Sequence, residues 1–435
     1  MVIKFTNYLM KIRRLTIVRI LQRTLLSLFP IVLVGSYANI LSSIVFDKMG
    51  YLNNILYLDK WFPFFNQMHI LFKNINSFTI GFITIFSTYF AAKYTAEYYK
   101  RQGDLAGITA IFSYFMLSSI NIFNFTKNTS DILLNTKWYG SEKMLFGIII
   151  GMIIGQIFKV NPPKIKSNQQ IIHSAEILKY SFKAIKGIVL SIVFAIGMNI
   201  LFLYLKKFNV IDINGVLVTN YVVKNNIIGI LLYSVTTSIL NWMGISSSYN
   251  EILDDNVFMK NLNYFIKHHE YTNLPYNYTI STVYRSFGLI SGSGGVIALI
   301  CIMLLFVKNK NFNNIAKSTF IISILGEYIP VMVGIPILFN PIFLIPYILV
   351  PLINCIIGMF VIWMGILPPT IFPLMNGTPG VLVEFLGTGG NFWGLLISII
   401  IFIIDCLIYL PFIKESEEIW IKIQKEYQRE EKNEK

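Results

Sequence analysis

EYIPVMVGIPILFNPIFLIPYILVPLINCIIGMFVIWMGILPPTIFPLMNGTPGVLVEFLGTGGNFWGLLISIIIFIID, residues 327–405, holds a single charge, Glu384, between its terminal acids. The same stretch carries nine prolines and nine glycines. One helical crossing of a bilayer takes about 20 apolar residues, so the stretch is long enough to cross several times. Yet Gly334-Ile335-Pro336, Asn340-Pro341, Pro368-Pro369, Thr378-Pro379 and Gly387-Thr388-Gly389-Gly390 interrupt it. Broken backbone at membrane depth is tolerated only where protein or a water-filled cavity satisfies its polar groups. Discontinuous segments of this kind point to a transporter's substrate site, and the function is expected here.

The rest of the chain agrees with a membrane setting. Its 435 residues are 55% hydrophobic and 13% charged, with mean hydropathy +0.62. A soluble domain carries about 25% charged residues. The net charge of +14 does not imply a nucleic-acid partner. Most basic residues sit in short blocks beside apolar runs, the pattern of the positive-inside rule. Cys301, Cys355 and Cys406 lie inside apolar runs with neither metal-ligand spacing nor disulfide arithmetic. His268 and His269 are adjacent and cannot share one helix face. No metal and no cofactor are expected.

Apolar windows predict an all-α polytopic membrane protein with about ten transmembrane helices. The windows are Leu25–Phe46, Ile75–Ala92, Leu105–Phe123, Met144–Phe158, Gly187–Leu205, Ile227–Ile245, Gly294–Val307, Phe320–Leu338, Ile342–Gly365 and Phe392–Pro411. The basic N-terminal segment and the lysines of residues 159–186 place the N-terminus in the cytoplasm, and ten crossings return the C-terminus there. Lys308, Lys310 and Lys317 misfit this orientation, which hairpins that dip in and return would explain. Residues 167–186 space Ile171, Ile172, Ala175, Leu178, Phe182 and Ile185 on one helical face, as a surface-lying amphipathic helix does. Residues 413–435 read as a charged, solvated cytoplasmic tail.

Several pieces of the C-terminal half stand in a recognisable order: SGSGG (291–295), GIPILFNPIFLIPYILVPLIN (334–354), ILPPTIFP (366–373), Thr378-Pro379, GTGGNFWG (387–394) and IYLPFIK (408–414). In this order the chain resembles the membrane subunit, enzyme IIC, of the bacterial phosphotransferase sugar systems, lactose/cellobiose group. The N-terminal half agrees more loosely, through LQRTLLSLFPIVLVGSY (21–37). The resemblance implies ten crossings with re-entrant hairpins, a scaffold and dimerisation half over residues 1–210, and a transport half over residues 211–412. It implies a homodimer in the bacterial inner membrane that imports a disaccharide or β-glucoside. Phosphate would come from a cysteine of a separate enzyme IIB, itself supplied by IIA and the general phosphotransferase proteins.

Two departures bear on that chemistry. The family's site histidine, in a GIHG motif, falls on Ser246 of Gly244-Ile245-Ser246-Ser247. Its site glutamate, in an NEP motif, falls on Ile329 of Tyr328-Ile329-Pro330. General-base catalysis contributes about 10²–10⁴-fold, and serine is a poor base while isoleucine is none. Coupling to phosphorylation is therefore expected to be altered or weak, and whether the chain takes part in an enzymatic step is open. Glu327, two residues before Ile329, is the candidate substitute; the alternative is a carboxylate reaching water at a segment end. Glu384 reads either as an acceptor for sugar hydroxyls or as a hairpin-tip carboxylate in water or paired with lysine. Asp405, deep in the last apolar run, is expected to face the protein interior. Substrate contacts are expected from Trp242, Ser246, Ser247, Glu327, Asn340, Thr378, Glu384, Thr388, Gly389, Gly390 and Trp393. Two other function classes stay open: a non-catalytic facilitator, sensor or receptor of the same fold, and an ion-coupled secondary transporter using Glu327, Glu384 and Asp405.

Overall fold

The structure, a computed structural model, describes residues 15–118, 136–161, 174–207, 227–244, 255–271, 274–335 and 337–433. Regular structure among them is helical, apart from one isolated bridge between Gly50 and Asn376. Seven described helices are long and apolar enough to cross a membrane, and Gly103–Ser118 and Ile227–Trp242 are shorter apolar helices. The described residues fall into two compact units.

The first unit comprises Thr16–Val32 and Ser77–Leu217. Its main helices are the start of α1 (Thr16–Ile40), the end of α2 (Phe65–Thr79), α3 (Ile83–Tyr98), α4 (Gly103–Ser118), α5 (Met144–Ile157) and α6 (Ser174–Lys207). Helices α3 and α5 approach through small residues. A Cβ on Gly147 would stand 2.6 Å from Thr84, one on Gly151 2.4 Å from the Thr88 carbonyl, and one on Gly155 2.5 Å from Thr95. Lipid tails are as apolar as leucine, so close backbone packing of this kind holds membrane helices together. Tyr114, Tyr139 and Phe158 fill the core, and the Tyr114 hydroxyl donates to the Trp138 carbonyl at 2.7 Å.

The surface helix expected over residues 167–186 is not separate from the span that follows. From Ser174 on, α6 runs unbroken to Lys207. Helix-favouring residues bridge the change from charged to apolar sequence, and no Pro stops it. Leu178, Phe182 and Ile185 are exposed on it, as the amphipathic pattern predicts. Ile171 and Ile172 lie outside the described residues.

The second unit comprises Leu33–Asn76 and Val218–Lys435, together with Met1–Leu15. It contains α7 (Ile227–Trp242), α8 (Asp255–His268), a π-helical segment Ile280–Gly288, α9 (Val296–Phe306), α10 (Lys310–Ile324) and α11 (Ile329–Gly334). After these come α12 (Pro341–Trp363), α13 (Gly380–Gly387) and α14 (Phe392–Asn433). One of its hydrophobic cores gathers Tyr233, Tyr284, Phe287, Met359, Leu367 and Ile401.

The crossing expected over Phe320–Leu338 is instead two helices. Helix α10 ends at Ile324, Gly326 takes φ +92°, and α11 starts at Ile329. That φ lies outside the helical region and is open to glycine, and Pro330 in the first turn of α11 has no N–H to extend the preceding helix. Asn340 then caps α12, its Oδ1 accepting from the Ile342 N–H at 3.2 Å. The C-terminal segment also differs from expectation. Helix α14 continues from the last span through the charged residues to Asn433, with Pro411 inside it, so the charged tail expected over residues 413–435 is not set apart from that span.

Candidate functional site

Every described candidate residue lies in the second unit, on segments where helices are broken. Trp242 ends α7, and its indole N–H donates to the Asn340 carbonyl at 3.2 Å. The Trp242 ring also packs on Phe339, with centroids 5.4 Å apart. The structure therefore joins two residues that sequence reasoning singled out separately. Ser246 and Ser247 lie outside the described residues.

Next to Trp242, Asn241 donates to the Ser293 hydroxyl at 3.2 Å, and Ser293 shares a 3.1 Å hydrogen bond with Tyr347. The SGSGG turn is thereby tied to α7 and α12. All three of its glycines have positive φ: Gly292, Gly294 and Gly295. A Cβ on Gly294 would stand 2.2 Å from the Tyr347 ring, so only glycine fits. The Tyr409 hydroxyl donates to the Gly294 carbonyl, and Ser291 donates to Asp405 Oδ2, which also accepts from Asn354 Nδ2 at 3.1 Å. Asp405 is fully buried, as its place in the last apolar run predicts. The Ser291–Asn354–Asp405 grouping was not legible beforehand. A lone asparagine in the apolar run of α12 was its one visible signal.

Glu384, Thr388, Gly389 and Gly390 form a second grouping around α13. The Thr388 hydroxyl donates to the Glu384 carbonyl at 2.6 Å, and the Tyr271 hydroxyl to the Thr388 carbonyl at 3.2 Å. Gly389 and Gly390 take φ +76° and +91° and are exposed. The Gly387 carbonyl accepts from Ile371 N–H at 2.8 Å and Phe372 N–H at 3.1 Å, which fastens the ILPPTIFP loop to the GTGG turn. Beside it Thr370 and Ser286 share a 2.8 Å hydrogen bond. Glu384 is fully buried, and neither carboxylate oxygen has a hydrogen-bond partner among the described residues. It is thus neither in water nor paired with a lysine there. Burial without a partner pushes its pKa well above the ordinary glutamate value.

Glu327 stands in a third grouping. Its Oε2 accepts from Asn39 Nδ2 at 2.6 Å, and Asn39 Oδ1 accepts from Asn76 Nδ2 at 3.0 Å. Burial raises the Glu327 pKa, against the lowering effect of hydrogen bonds from Asn39, the Ile329 N–H and Ser36. Ile329 itself opens α11, half-buried. Thr378 donates to the Met375 carbonyl at 2.7 Å, and Trp393, in the first turn of α14, is 59% exposed. Among the described residues no three His, Cys, Asp or Glu side chains gather as a metal-ligand set.

The family resemblance holds against known proteins. No protein-family model matches the chain. The oligo-beta-mannoside-specific EIIC component of the phosphotransferase system of Bacillus subtilis (strain 168) is 20% identical over 417 residues, 94% of this chain and 91% of that protein. The cellobiose-specific EIIC component of Lactococcus lactis subsp. lactis (strain IL1403) is 29% identical over 134 residues, 31% of this chain and 27% of that protein. The crystal structure of the transporter ChbC, the IIC component from the N,N'-diacetylchitobiose-specific phosphotransferase system, superposes with TM-score 0.43 at 18% identity, covering 95% of this chain and 96% of that one. The chain is thus a helical membrane protein that resembles one phosphotransferase EIIC component along nearly its whole length and another over 31% of it.

Proposed function

We propose that the chain is the membrane permease subunit, enzyme IIC, of a phosphotransferase system and imports a disaccharide or β-glucoside. One observation carries the reading: the alignment to an oligo-beta-mannoside EIIC component spans 94% of the chain. The ordered motifs from SGSGG to IYLPFIK support it independently. The substrate would be a sugar and the phosphate donor a separate IIB protein. In this reading residues 1–210 form the scaffold and dimer half, residues 211–412 carry the sugar, and both termini are cytoplasmic.

The sugar would lie along the broken segments of the second unit. Trp242 offers an aromatic face, and Asn340, Thr378, Thr388 and the amides of Gly389 and Gly390 offer polar contacts, with Ser246, Ser247 and Trp393 beside them. Glu384 is the acceptor best suited to sugar hydroxyls, since its buried carboxyl has no other claim among the described residues. Glu327 is a weaker candidate to replace the missing glutamate, because Asn39 already holds its Oε2.

Ser246 and Ile329 stand where the family's histidine and glutamate would be, so we propose that coupling to phosphorylation is weak. The same observation supports a second reading, a non-catalytic facilitator, sensor or receptor of this fold. Vesicles holding the full chain, a partner IIB and the general phosphotransferase proteins distinguish the two. Slow phosphorylation of cellobiose or lactose that rises with Ser246→His plus Ile329→Glu supports the permease with weakened coupling. Sugar binding with no phosphorylation in either form supports the second reading. Fast phosphorylation by the natural sequence overturns the weakened coupling.

A further inference from the structure

The buried carboxyl of Asp405 lies in the last span with no cation to balance it among the described residues. Its Oδ2 accepts from Ser291 and from Asn354 Nδ2, whereas its Oδ1 has no partner among the described residues. Asn354 mirrors this state: its amide nitrogen is used, and its Oδ1 has no partner either. Both residues are 0% exposed. Two acceptor oxygens, on planar groups already joined by one hydrogen bond, thus lack one donor between them.

An isolated anion in this position is costly, and an orphaned buried acceptor adds to that cost. Helix α10 meets α14 farther along, at Glu417 and Trp420, while the elements packed against the part of α14 that carries Asp405 are α9, α12 and α13. Their titratable groups are Cys301 on α9, Tyr347 and Cys355 on α12, and Glu384 on α13, with Cys406 and Tyr409 near Asp405 on its own helix. None of these is a cation. A metal ion is equally unsuited, because two acceptor oxygens are too few ligands and no set of three His, Cys, Asp or Glu side chains gathers there among the described residues. A proton needs only these two oxygens. Placed on Oδ1, it makes the carboxyl a donor, and Asn354, already bonded to Oδ2, carries an amide oxygen that still lacks one.

We infer that Asp405, Asn354 and Ser291 form a proton-binding site, with the proton carried on Asp405 Oδ1 while the SGSGG turn is packed. The site is a latch as well as a binding site. Ser291 belongs to the turn, Ser293 of the same turn holds Asn241 beside Trp242, and Tyr409 holds Gly294. Opening the turn removes the Ser291 contact and admits water, and the proton passes to that water. Movement of the turn and proton release are then one event.

Infrared difference spectroscopy tests this on the full chain in lipid nanodiscs, with ¹³C-labelled aspartate to separate Asp405 from Glu384. A protonated-carboxyl C=O band from aspartate at neutral pH, lost in Asp405→Asn and shifted in Asn354→Leu, is the expected result. If Asp405→Asn does not fold, the labelled natural chain decides alone: the band must be present at neutral pH and must disappear on alkaline titration. No protonated-aspartate band at neutral pH overturns the inference. A rise in thermal midpoint with sodium at constant ionic strength, absent in Asp405→Asn, overturns it as well by assigning the site to a metal cation.

Discussion

Asn39 Nδ2 donates to Glu327 Oε2 at 2.6 Å, linking a residue of the first span to the break between α10 and α11 across 288 positions of sequence. Asn76 extends the link by donating to Asn39 Oδ1. Truncating Asn39 to Ala leaves a half-buried carboxylate oxygen without this donor. Removing one partner of such a bond costs about 1–3 kcal/mol. Asn39→Ala should lower the thermal midpoint of the purified protein, and Glu327→Gln, which keeps an acceptor oxygen, should lower it less. Equal losses in the two variants would show that the hydrogen bond is not what stabilises the break.

Glu384 makes stability depend on pH in a definite direction. Burial raises its folded-state pKa well above the usual 4.5. A raised folded pKa means that the folded state binds the proton more tightly than the unfolded state. The folded protein is therefore most stable below about the ordinary glutamate value and loses stability as pH rises toward the folded value. The limiting slope is about 1.4 kcal/mol per pH unit for one group. Glu384→Gln should flatten this fall. Chemical denaturation of both proteins across a pH series measures the difference, and parallel curves would contradict the assignment.

The broken segments were readable because glycine and proline act locally. Gly326, Gly365, Gly377, Gly389 and Gly390 all take positive φ, and all stand in or just before the stretch that opened the sequence reading. The crossing over Phe320–Leu338 was misread because hydropathy averages over a window and cannot register one glycine at φ +92°. The continuity of α6 and α14 was missed for a related reason. A change from apolar to charged composition marks a membrane boundary but does not end a helix when Lys, Glu and Leu all favour it. The Asn354–Asp405 pair is 51 residues apart, and no local pattern encodes such a contact.

Two glycines with positive φ should respond differently to alanine. At Gly294 the new methyl would meet the Tyr347 ring at 2.2 Å, and φ is +63°, so both packing and backbone oppose it. At Gly326 φ is +92° but nothing stands within 4 Å. Backbone strain alone costs roughly 1–2 kcal/mol, whereas overpacking a core adds about 1–3 kcal/mol more. Gly294→Ala should therefore lower folded yield and thermal midpoint further than Gly326→Ala. The reverse order in a paired thermal assay would count against the packing of Tyr347 on the SGSGG turn.

Trp242→Phe keeps a ring against Phe339 but removes the N–H that serves the Asn340 carbonyl. Asn340→Ala keeps that carbonyl but removes the cap of α12. The first change should cost about 1–3 kcal/mol if the carbonyl is left unpaired, and the second about 1 kcal/mol. In the proposed permease, Trp242→Phe should also weaken sugar binding through the displaced 339–340 turn. Equilibrium binding of labelled cellobiose, read beside the melting curves, separates loss of affinity from loss of fold.

The charged end of α14 is fastened to the start of α10. Glu417 Oε1 accepts from the Lys308 N–H at 2.9 Å and the Asn309 N–H at 3.2 Å, two donors ahead of the helix that have no intrahelical acceptor. Trp420 packs on Phe312 with centroids 5.3 Å apart, so a ring contact accompanies the carboxylate. A charge-assisted bond to backbone N–H is stronger than a neutral one, and the site is partly open to solvent, so Glu417→Ala should cost about 1–2 kcal/mol. Glu417→Gln should recover part of this through one retained acceptor. Hydrogen exchange at the Lys308 and Asn309 amides reports the contact directly. Faster exchange at these two positions in Glu417→Ala, with the amides of α12 unchanged, is the expected result. Unchanged exchange would mean that α10 starts without help from α14.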